Sequence, residues 1–296
     1  MSPTACDIQE LLALQYPARR FALRRLGLRP LPATPGNVPR LRGRGMTFDE
    51  HRSYQPGDEP RFIDWRVTAR TGEMHVKLFK EEHEQPVHLI LDRRSSMQFG
   101  SQRQFKSVLA TQALSLLGWT AAHSRERLGG IVWDEALHDC KPRLGAPGLL
   151  PWLRHATAAR STRAPDASTS WSQLAQHARR SLGPGAIVII ASDFRGLDQD
   201  GIRSWSEAMR AHQLILLPIT DPLETSPPPQ GQFPLQYGDE VVWLDFAQDG
   251  VAWRAHYAQQ QTAWENLARS ARALVLPLST EHTALAQLAP HLVASP

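Results

Sequence analysis

Two aspartates stand among side chains that can bind a metal ion, and each follows a short apolar run. Asp92 ends the run VHLILD and is followed by Arg94 and Ser96, while Asp193 follows the run GAIVIIAS. Another segment, DASTSWSQ, supplies hydroxyl groups that include Thr169. Because an open α/β sheet binds ligands beyond the carboxyl ends of its strands, we expect these groups to meet at one edge. Carboxylate and hydroxyl oxygens suit a hard cation such as Mg²⁺.

The elements that position these groups follow from an alternation of apolar runs and amphipathic stretches after residue 85. Strands are predicted at VHLILD, LGGIVWD, GAIVIIASDF, LILLPITDP and ALVLPL, with ALHDC returning beside LGGIVWD and GQFPLQYGDEVVWLDF forming a surface hairpin. Helices are predicted over SQRQFKSVLATQALSLLGWTAAH, STSWSQLAQHARRSL, DGIRSWSEAMRAHQ and residues 252–271, with a short one at the end. This order predicts an α/β fold with a doubly wound, mostly parallel sheet and helices on both faces.

Two serines are predicted to start helices. Ser101 with Gln104, and Ser170 with Gln173, show the spacing of a capping box, in which each side chain satisfies a backbone N–H group. We therefore expect one helix to begin after Ser101 and another to begin after Ser170.

The first 84 residues differ from the rest in charge and composition. Residues 1–29 predict a basic helical arm, and residues 30–84 predict a charged, extended or β-rich elaboration ahead of the α/β domain at 85–296. Eight of the first 44 residues are arginines, against two acids. Such an arm can bind nucleic acid or an anionic membrane, or form a solvated helix face. No stacking pattern of aromatic residues accompanies the arginines, so nucleic acid is the minor option.

A second polar set lies in HRSYQPGDEPRFIDWRVTAR, residues 51–70. Its members are Arg52, Tyr54, Asp58, Arg61, Asp64, Trp65 and Arg70. Arginine, tyrosine and tryptophan supply much of the binding energy of protein interfaces, which favours a partner-binding surface. The same charges can instead satisfy one another as Arg–Asp pairs that hold an irregular loop in place. The sequence leaves both interpretations open.

The residues around Asp92 resemble a known metal site. Asp92-x-Arg94-x-Ser96 is similar to the Asp-x-Ser-x-Ser motif of the metal-ion-dependent adhesion site of von Willebrand factor A domains. Thr169 and Asp193 match by position the threonine and aspartate that complete this site in the family. The resemblance covers residues 85–296 and implies a von Willebrand A (Rossmann-like) fold. It also implies a Mg²⁺ ligand set of Asp92, Ser96, Thr169 and Asp193.

The stretch ahead of the first strand resembles a narrower family, the bacterial domain of unknown function 58. The matching pieces are Glu50-x-Arg52-x-Tyr54, Gly57-Asp58, Arg61-x-Ile63-Asp64-Trp65, Ala69-Arg70 and the later DPLE at 221–224. Members of this family are commonly encoded beside MoxR-type AAA ATPases. The resemblance therefore implies a non-catalytic protein-interaction module that acts with such an ATPase in chaperone-like assembly or maturation of a client complex.

Arg94 departs from the adhesion-site motif, because it stands where the family places a ligating serine. A guanidinium removes one hydroxyl ligand and repels a divalent ion, more strongly as the site loses water. It can also pair bidentately with Asp92 or Asp193 and occupy the space of the metal. We therefore expect Mg²⁺ binding to be weak or lost. In the alternative, Arg94 turns to solvent and Ser95 completes a weak site.

The remaining sequence gives little support for catalysis. It contains no Walker-type phosphate loop, Gly-x-Ser-x-Gly elbow or His-Glu-x-x-His pair. The enzymatic alternative is a Mg²⁺-dependent phosphoesterase that uses Asp92 and Asp193, with Arg61 or Arg94 on the phosphate, although it lacks an evident general base. The two cysteines lack metal-ligand spacing, no apolar run approaches the roughly 18 residues of a membrane span, and no secretory pattern is present. These features predict a cytoplasmic protein.

Overall fold

The computed structural model describes residues 3–26, 46–55, 58, 60, 63–81, 85–134, 136–159, 169–226, 230–237 and 240–292. Contacts divide the chain into two compact units, one of residues 1–31 with 85–296 and the other of residues 32–84. The described N-terminal helices therefore belong to the larger unit. The division of the sequence into three domains, at residues 29/30 and 84/85, stays a prediction.

The described residues form strands and helices that alternate through most of the chain. The strands are β1 (Met46–Ser53), β2 (His75–Glu81), β3 (Val87–Asp92), β4 (Arg127–Trp133), β5 (Leu137–Leu144), β6 (Ile187–Ser192), β7 (Gln213–Thr220), β8 (Gln232–Tyr237), β9 (Glu240–Asp245), β10 (Leu274–Val275) and β11 (Leu278–Ser279). The helices are α1 (Ile8–Ala13), α2 (Gln15–Ala18), α3 (Trp65–Thr71), α4 (Lys106–His123), α5 (Ala146–Thr157), α6 (Trp171–Ser181), α7 (Gln199–Ala208), α8 (Pro222–Thr225), α9 (Phe246–Ala271) and α10 (Ala284–Leu292). Within these described ranges, no helix has the length and apolarity to cross a membrane.

The larger unit is built on a seven-stranded sheet in the order β10-β7-β6-β3-β4-β5, with β11 also beside β7. Strand β5 is antiparallel to β4, and the other neighbouring strands are parallel. Numbered along the chain, the strands of this path have the order 3-2-1-4-5-6, which is the doubly wound order of Rossmann-like folds. The predicted fold class, a doubly wound and mostly parallel α/β sheet of Rossmann-like type, is confirmed.

Helices cover both faces of this sheet, which explains why its central strands are apolar without interruption. Every residue of β3 and β6 is buried. In β3, Leu89 and Leu91 join a core with α4, α5 and α10, whereas Ile90 joins a second core with α6 and α7. Because side chains alternate along a strand, neighbouring residues enter different cores.

Helix α4 is enclosed by the sheet and by α2, α5 and α10. Its residues 106–121 are all buried. Its buried hydroxyl groups are satisfied within the helix, because Thr111, Ser115 and Thr120 each donate to the carbonyl four residues earlier. The helix can therefore carry polar residues through the core without unpaired donors at these positions.

The N-terminal segment, predicted as a basic helical arm, packs on α4. Leu11 in α1 and Ala18 in α2 are fully buried. The indole nitrogen of Trp119 donates to the carbonyl of Leu11 at 2.9 Å, and the amide of Phe105 donates to the carbonyl of Pro3 at 2.8 Å. These contacts attach the segment near both ends of the helix.

Of the two predicted capping boxes, one is confirmed and one is wrong. Ser170 and Gln173 make both hydrogen bonds of the box at the start of α6. Helix α4 instead begins at Lys106, well after Ser101. The amide of Ser101 donates to the carboxylate of Asp221, 120 residues further along the chain. A long-range contact therefore replaces the helix start that the local pattern indicates.

Both predicted hairpins are confirmed, since β5 pairs antiparallel with β4 and β9 with β8. Helix α9 begins at Phe246, earlier than the predicted start at residue 252. The carboxylate of Asp245, the last residue of β9, accepts from the amide of Ala247 and caps the helix. The strand thus runs directly into the helix, without a loop that the sequence pattern could mark.

The smaller unit contains the antiparallel pair β1 and β2, and α3 between them in sequence. Asp64 accepts hydrogen bonds from the amides of Arg66 and Val67 and so caps α3, and Gly72 ends the helix with a φ of 78°. The strand pair agrees with the β-rich expectation, but the helix is not predicted. Because α3 has no buried residue, it lacks the apolar periodicity that reveals a helix in sequence.

Candidate functional site

The carboxyl ends of β3 and β6 lie side by side where the strand order reverses. A doubly wound sheet leaves its binding crevice at this point, between its first and fourth strands. Strand β3 ends at Asp92, and β6 is followed directly by Asp193. Both aspartates are buried. The structure thus brings together the two carboxylates that the sequence predicts at one edge.

Arg94 lies on the carboxylate of Asp92. Its Nε is 3.0 and 3.2 Å from the two carboxylate oxygens, and its Nη2 is 2.7 Å from Oδ2. The guanidinium carbon lies 3.7 Å from the ring centroid of Trp133 and 5.3 Å from that of Trp171. Nη2 also donates to the carbonyl of Arg195 at 3.1 Å. An ion pair, ring stacking and a carbonyl acceptor therefore hold the cation inside the site.

Asp92 accepts two further hydrogen bonds, one from the neighbouring strand β6 and one from the loop that follows β3. The hydroxyl of Ser192, the last residue of β6, donates to Oδ2 at 2.6 Å, and the amide of Arg94 donates to Oδ1 at 3.0 Å. The oxygen of Ser192 in turn accepts from the amide of Phe194 at 2.8 Å. Both carboxylate oxygens of Asp92 are therefore engaged by the protein itself.

A second cation, Lys106, lies on Asp193, and the sequence interpretation misses it. Lys106 is the first residue of α4, and its side chain is only 1% exposed. Its Nζ is 2.9 Å from Oδ2 of Asp193 and 2.6 Å from Oε1 of Glu224. A buried lysine is stable in its charged form only with such partners, so these contacts form one buried charge cluster.

Burial and the shared lysine move the pKa values of the two acids in opposite directions. For Asp193, burial favours the neutral form, but the charge of Lys106 and the hydrogen bond from the Arg195 amide outweigh it, and the pKa lies below its usual value. For Glu224 burial is the larger effect, and the pKa is raised. The two carboxylates likewise outweigh burial at Lys106 and raise its pKa. Lys106 is therefore a permanent cation at neutral pH.

The DPLE segment directs Glu224 toward Lys106. Asp221 caps the short helix α8: its carboxylate accepts from the amide of Leu223 at 3.0 Å, and its own amide donates to Oε2 of Glu224 at 3.1 Å. The buried carboxylate of Asp221 also accepts from the hydroxyl groups of Ser101 and Thr280. One oxygen of Glu224 thus belongs to the cap, which leaves the other to face Lys106.

The two predicted hydroxyl ligands have different surroundings. The hydroxyl of Ser96 donates to Oδ1 of Asp193 at 3.3 Å, so Ser96 belongs to the cluster. Thr169 directly precedes Ser170, the N-cap of α6, and is partly buried. Among the residues that the structure describes, no hydrogen bond joins Thr169 to either aspartate.

The residues present at the strand ends do not fit a divalent ion. Arg94 covers the oxygens of Asp92, and Lys106 with Ser96 engages those of Asp193. Through the described ranges of the chain, no group of three His, Cys, Asp or Glu side chains is arranged to hold a metal. A Mg²⁺ ion would have to displace a fixed cation before it could reach either carboxylate. Loss of Mg²⁺ binding stays a prediction that requires a binding measurement.

The second polar set contains one ion pair within the described residues. Nη2 of Arg52 is 2.7 Å from Oδ1 of Asp58, and the amide of Gln55 donates to the other carboxylate oxygen at 2.8 Å. The hydrogen bond from Arg52 lowers the pKa of Asp58. The amide of Tyr54 donates to the carbonyl of Met74 at 2.8 Å. This part of the set therefore holds the turn after β1.

The other members of the set lie on or beside α3. Asp64 is the N-cap of the helix, Arg70 is exposed in its last turn, and the side chain of Trp65 is 66% exposed. Arg61 lies outside the described residues. An exposed tryptophan fits a binding surface and the Arg52–Asp58 pair fits a structural network, so both interpretations stay predictions.

A cavity of about 360 Å³ lies beside the charge cluster, between the strand ends and α9. Asp193 and Glu224 form part of its wall, and Arg195, Trp253 and His256 also line it. Burial lowers the pKa of His256, and Arg195 lowers it further, so the ring is neutral at neutral pH. The cavity therefore offers a mixed polar and aromatic surface next to the predicted site.

The family model described as protein of unknown function DUF58 matches residues 50–266. Uncharacterized protein Rv1480 of Mycobacterium tuberculosis and uncharacterized protein Mb1516 of Mycobacterium bovis are each 29% identical over 252 residues, which cover 81% of this chain and 76% of theirs. A crystal structure of the conserved hypothetical protein BatB from Bacteroides thetaiotaomicron aligns with a TM-score of 0.49 and 14% identity, over 70% of this chain and 95% of that chain.

Proposed function

From the premise that the chain belongs to the DUF58 family of proteins of unknown function, we propose that it is a non-catalytic module that binds a partner protein. The binding surface is the carboxyl edge of its sheet. The partner that the family resemblance implies is a MoxR-type AAA ATPase. With this ATPase the protein acts in chaperone-like assembly or maturation of a client complex.

The observation that supports a non-catalytic role is the neutralisation of the strand-edge acids by side-chain cations. A general acid or base needs a pKa near the working pH and access to the proton that it transfers. Arg94 covers Asp92, and Lys106 holds the pKa of Asp193 below its usual value. Two fixed ion pairs of this kind leave neither acid free to transfer a proton.

Arg195 is the side chain that we assign to partner contact. Its amide donates to Asp193 and its carbonyl accepts from Arg94 and from the indole of Trp171, so its backbone is fixed within the site. Its side chain is exposed and lines the cavity beside α9. Because its backbone is already fixed, binding at Arg195 orders only the side chain, and arginine is common among the residues that anchor protein interfaces.

The proposal is tested with the MoxR-type ATPase of the same organism, by measuring its affinity for the full-length protein. The Arg195→Met variant removes the exposed charge without touching the backbone contacts, and we expect affinity to fall about tenfold. Arg203→Met removes an exposed charge on α7, away from the strand ends, and should leave affinity unchanged. Equal affinity of the wild type and both variants would show that Arg195 is not part of the interface. If neither the wild type nor the variants bind the ATPase, the ATPase is not the partner.

The enzymatic alternative is tested in parallel. Purified protein supplied with Mg²⁺ or Mn²⁺ should not hydrolyse a generic phosphodiester such as bis(p-nitrophenyl) phosphate. Turnover that disappears in Asp92→Asn and Asp193→Asn, and persists in Arg203→Met, would contradict the non-catalytic role and favour the phosphoesterase.

A further inference from the structure

Two carboxylates that are buried at neighbouring strand ends require positive charge close by. Asp92 is fully buried and Asp193 nearly so, and a buried charge is costly unless it is paired and hydrogen-bonded. A divalent ion between the strands is one source of two positive charges. Side-chain cations are the other, and this chain has two of them in contact with the two carboxylates.

Each of the two cations pairs with one of the two strand-end aspartates. Nη2 of Arg94 is 2.7 Å from Asp92, and Nζ of Lys106 is 2.9 Å from Asp193. Their charges sum to the charge of a divalent ion, and each cation has a separate anchor. Arg94 is held by the Trp133 ring, and Lys106 is held by Glu224.

Lys106 also makes a connection between two strand ends. Asp193 follows β6 and Glu224 lies in α8, which follows β7, so one ammonium group cross-links the loops after two neighbouring strands. A positive charge at the start of a helix is unfavourable, because the helix N-terminus is itself partly positive. Its position in the first turn of α4 is therefore explained by the two carboxylates rather than by the helix.

We infer that Arg94 and Lys106 together replace a divalent ion, with Lys106 as the second half of the replacement, so that the strand-edge site forms and works without metal. The placement of charge is independent of the proposed function. Only its consequence, that partner binding is insensitive to chelators, rests on that proposal.

The direct test is titration of the wild-type protein with Mn²⁺, followed by calorimetry and by paramagnetic broadening of the NMR signals of the strand-edge residues. We expect no saturable binding at this edge and no change in melting temperature on addition of EDTA. Saturable Mn²⁺ binding by the wild type that is lost in Asp92→Asn would overturn the inference. The expected result is obtained on the wild-type protein alone, and only the assignment of an observed Mn²⁺ site to this edge uses the variant.

The gain-of-binding test removes both cations in Arg94→Ser/Lys106→Met. Uncovered carboxylates at this edge should then bind Mn²⁺ at least about tenfold more tightly than the wild type does, and Mn²⁺ should raise the melting temperature. The control Arg93→Ser/Lys141→Met removes the same total charge from residues outside the cluster and should show neither effect. Equal Mn²⁺ affinity of a folded double variant and the wild type would contradict the replacement.

A third measurement separates this inference from the proposed function. If the nucleotide-free ATPase binds, so that the ATPase needs no Mg²⁺ for its nucleotide, its affinity should be the same in excess Mg²⁺ and in EDTA. A loss of affinity in EDTA that Mg²⁺ restores under these conditions would overturn the inference. If the ATPase does not bind, the proposed function fails, and the Mn²⁺ titration still decides whether the cations replace the metal.

Discussion

Arg94 occupies surroundings that require the shape of a guanidinium as well as its charge. It pairs with both oxygens of Asp92, stacks on Trp133 and donates to the carbonyl of Arg195. A lysine ammonium is a point charge that can neither stack as a plane nor donate in a fixed fork. The residue therefore links an ion pair to the packing of two strands.

At the residue scale, we expect Arg94→Met to lower the free energy of unfolding by about 3–5 kcal/mol, because it leaves the buried Asp92 carboxylate unpaired. Arg94→Lys should cost less, about 1–2 kcal/mol, since it keeps the charge but loses the bidentate pair and the stacking. Urea denaturation of these variants, of Asp92→Asn and of Arg94→Met/Asp92→Asn gives the coupling energy. Additive effects in this cycle would show that the pair is not coupled.

The sequence predicts one of the two cations and misses the other for a local reason. Arg94 stands two residues from Asp92, where a motif reveals it. Lys106 meets Asp193 and Glu224 at separations of 87 and 118 residues, and no spacing in the sequence indicates such contacts. The DPLE segment is visible in the sequence, but its task of directing Glu224 depends on Asp221 and its long-range donors.

At the element scale, the close approach of α4 to its neighbours depends on Gly118. A Cβ atom at this position would lie 2.7 Å from Cδ1 of Leu149 in α5 and 3.0 Å from Cδ1 of Leu89 in β3. At Gly250 in α9, the nearest atoms would be 3.5 and 3.8 Å away, which are ordinary contacts. The two helical glycines therefore differ in packing.

We expect Gly118→Ala to destabilise the protein by about 1–3 kcal/mol through overpacking, despite the better helix propensity of alanine. Gly250→Ala should instead stabilise α9 by about 0.5–1 kcal/mol, because only the propensity changes. Urea denaturation of the two variants measures both effects. Stabilisation by Gly118→Ala equal to that of Gly250→Ala would mean that α4 does not pack closely on α5.

Element prediction succeeds where apolar periodicity is strong and fails where tertiary contacts decide the boundary. The hairpin of β4 and β5 and the box at Ser170 follow from local patterns, and both are confirmed. The start of α4 cannot be found in this way, because Ser101 bonds to Asp221 instead of capping the helix. Helix α3 escapes prediction because none of its residues is buried.

At the scale of the whole molecule, we expect stability to decrease as the pH falls from about 6.5 to about 4. His88 is fully buried in β3, and burial lowers its pKa to about 4. In this pH range the unfolded chain binds a proton at His88 that the folded chain does not, so stability rises with pH. Burial also lowers the pKa of His212, which contributes with the same sign.

The lowered pKa of His88 corresponds to a decrease of about 3 kcal/mol in the free energy of unfolding as the pH falls across this range. Chemical denaturation at a series of pH values measures it, and His88→Phe should reduce the slope while His282→Phe, at an exposed histidine, should not. An unchanged slope in His88→Phe would assign the acid sensitivity to other groups.

The topology of the larger unit is the part of the whole molecule that the sequence predicts best. Apolar strands that alternate with amphipathic helices allow few arrangements, and the right-handed crossover rule selects the doubly wound one. The packing of the N-terminal segment on α4 is different, since it depends on contacts such as that of Trp119 with Leu11, which are 108 residues apart. No periodicity of residues 1–29 predicts which surface the described residues 3–26 cover.

The central pair of strands also determines when the site can exist. Ile90 pairs with Ile190, so the contact between β3 and β6 closes a loop of about a hundred residues, and such distant pairings carry a loop-closure entropy cost that slows folding. The hydroxyl of Ser192 reaches Asp92, and Lys106 reaches Asp193, only after this closure. During synthesis, a nascent chain whose β6 has not yet left the ribosome already contains Asp92 and Arg94 but lacks the completed sheet edge. A partner that binds this edge therefore binds chains with a completed sheet in preference to newly made chains.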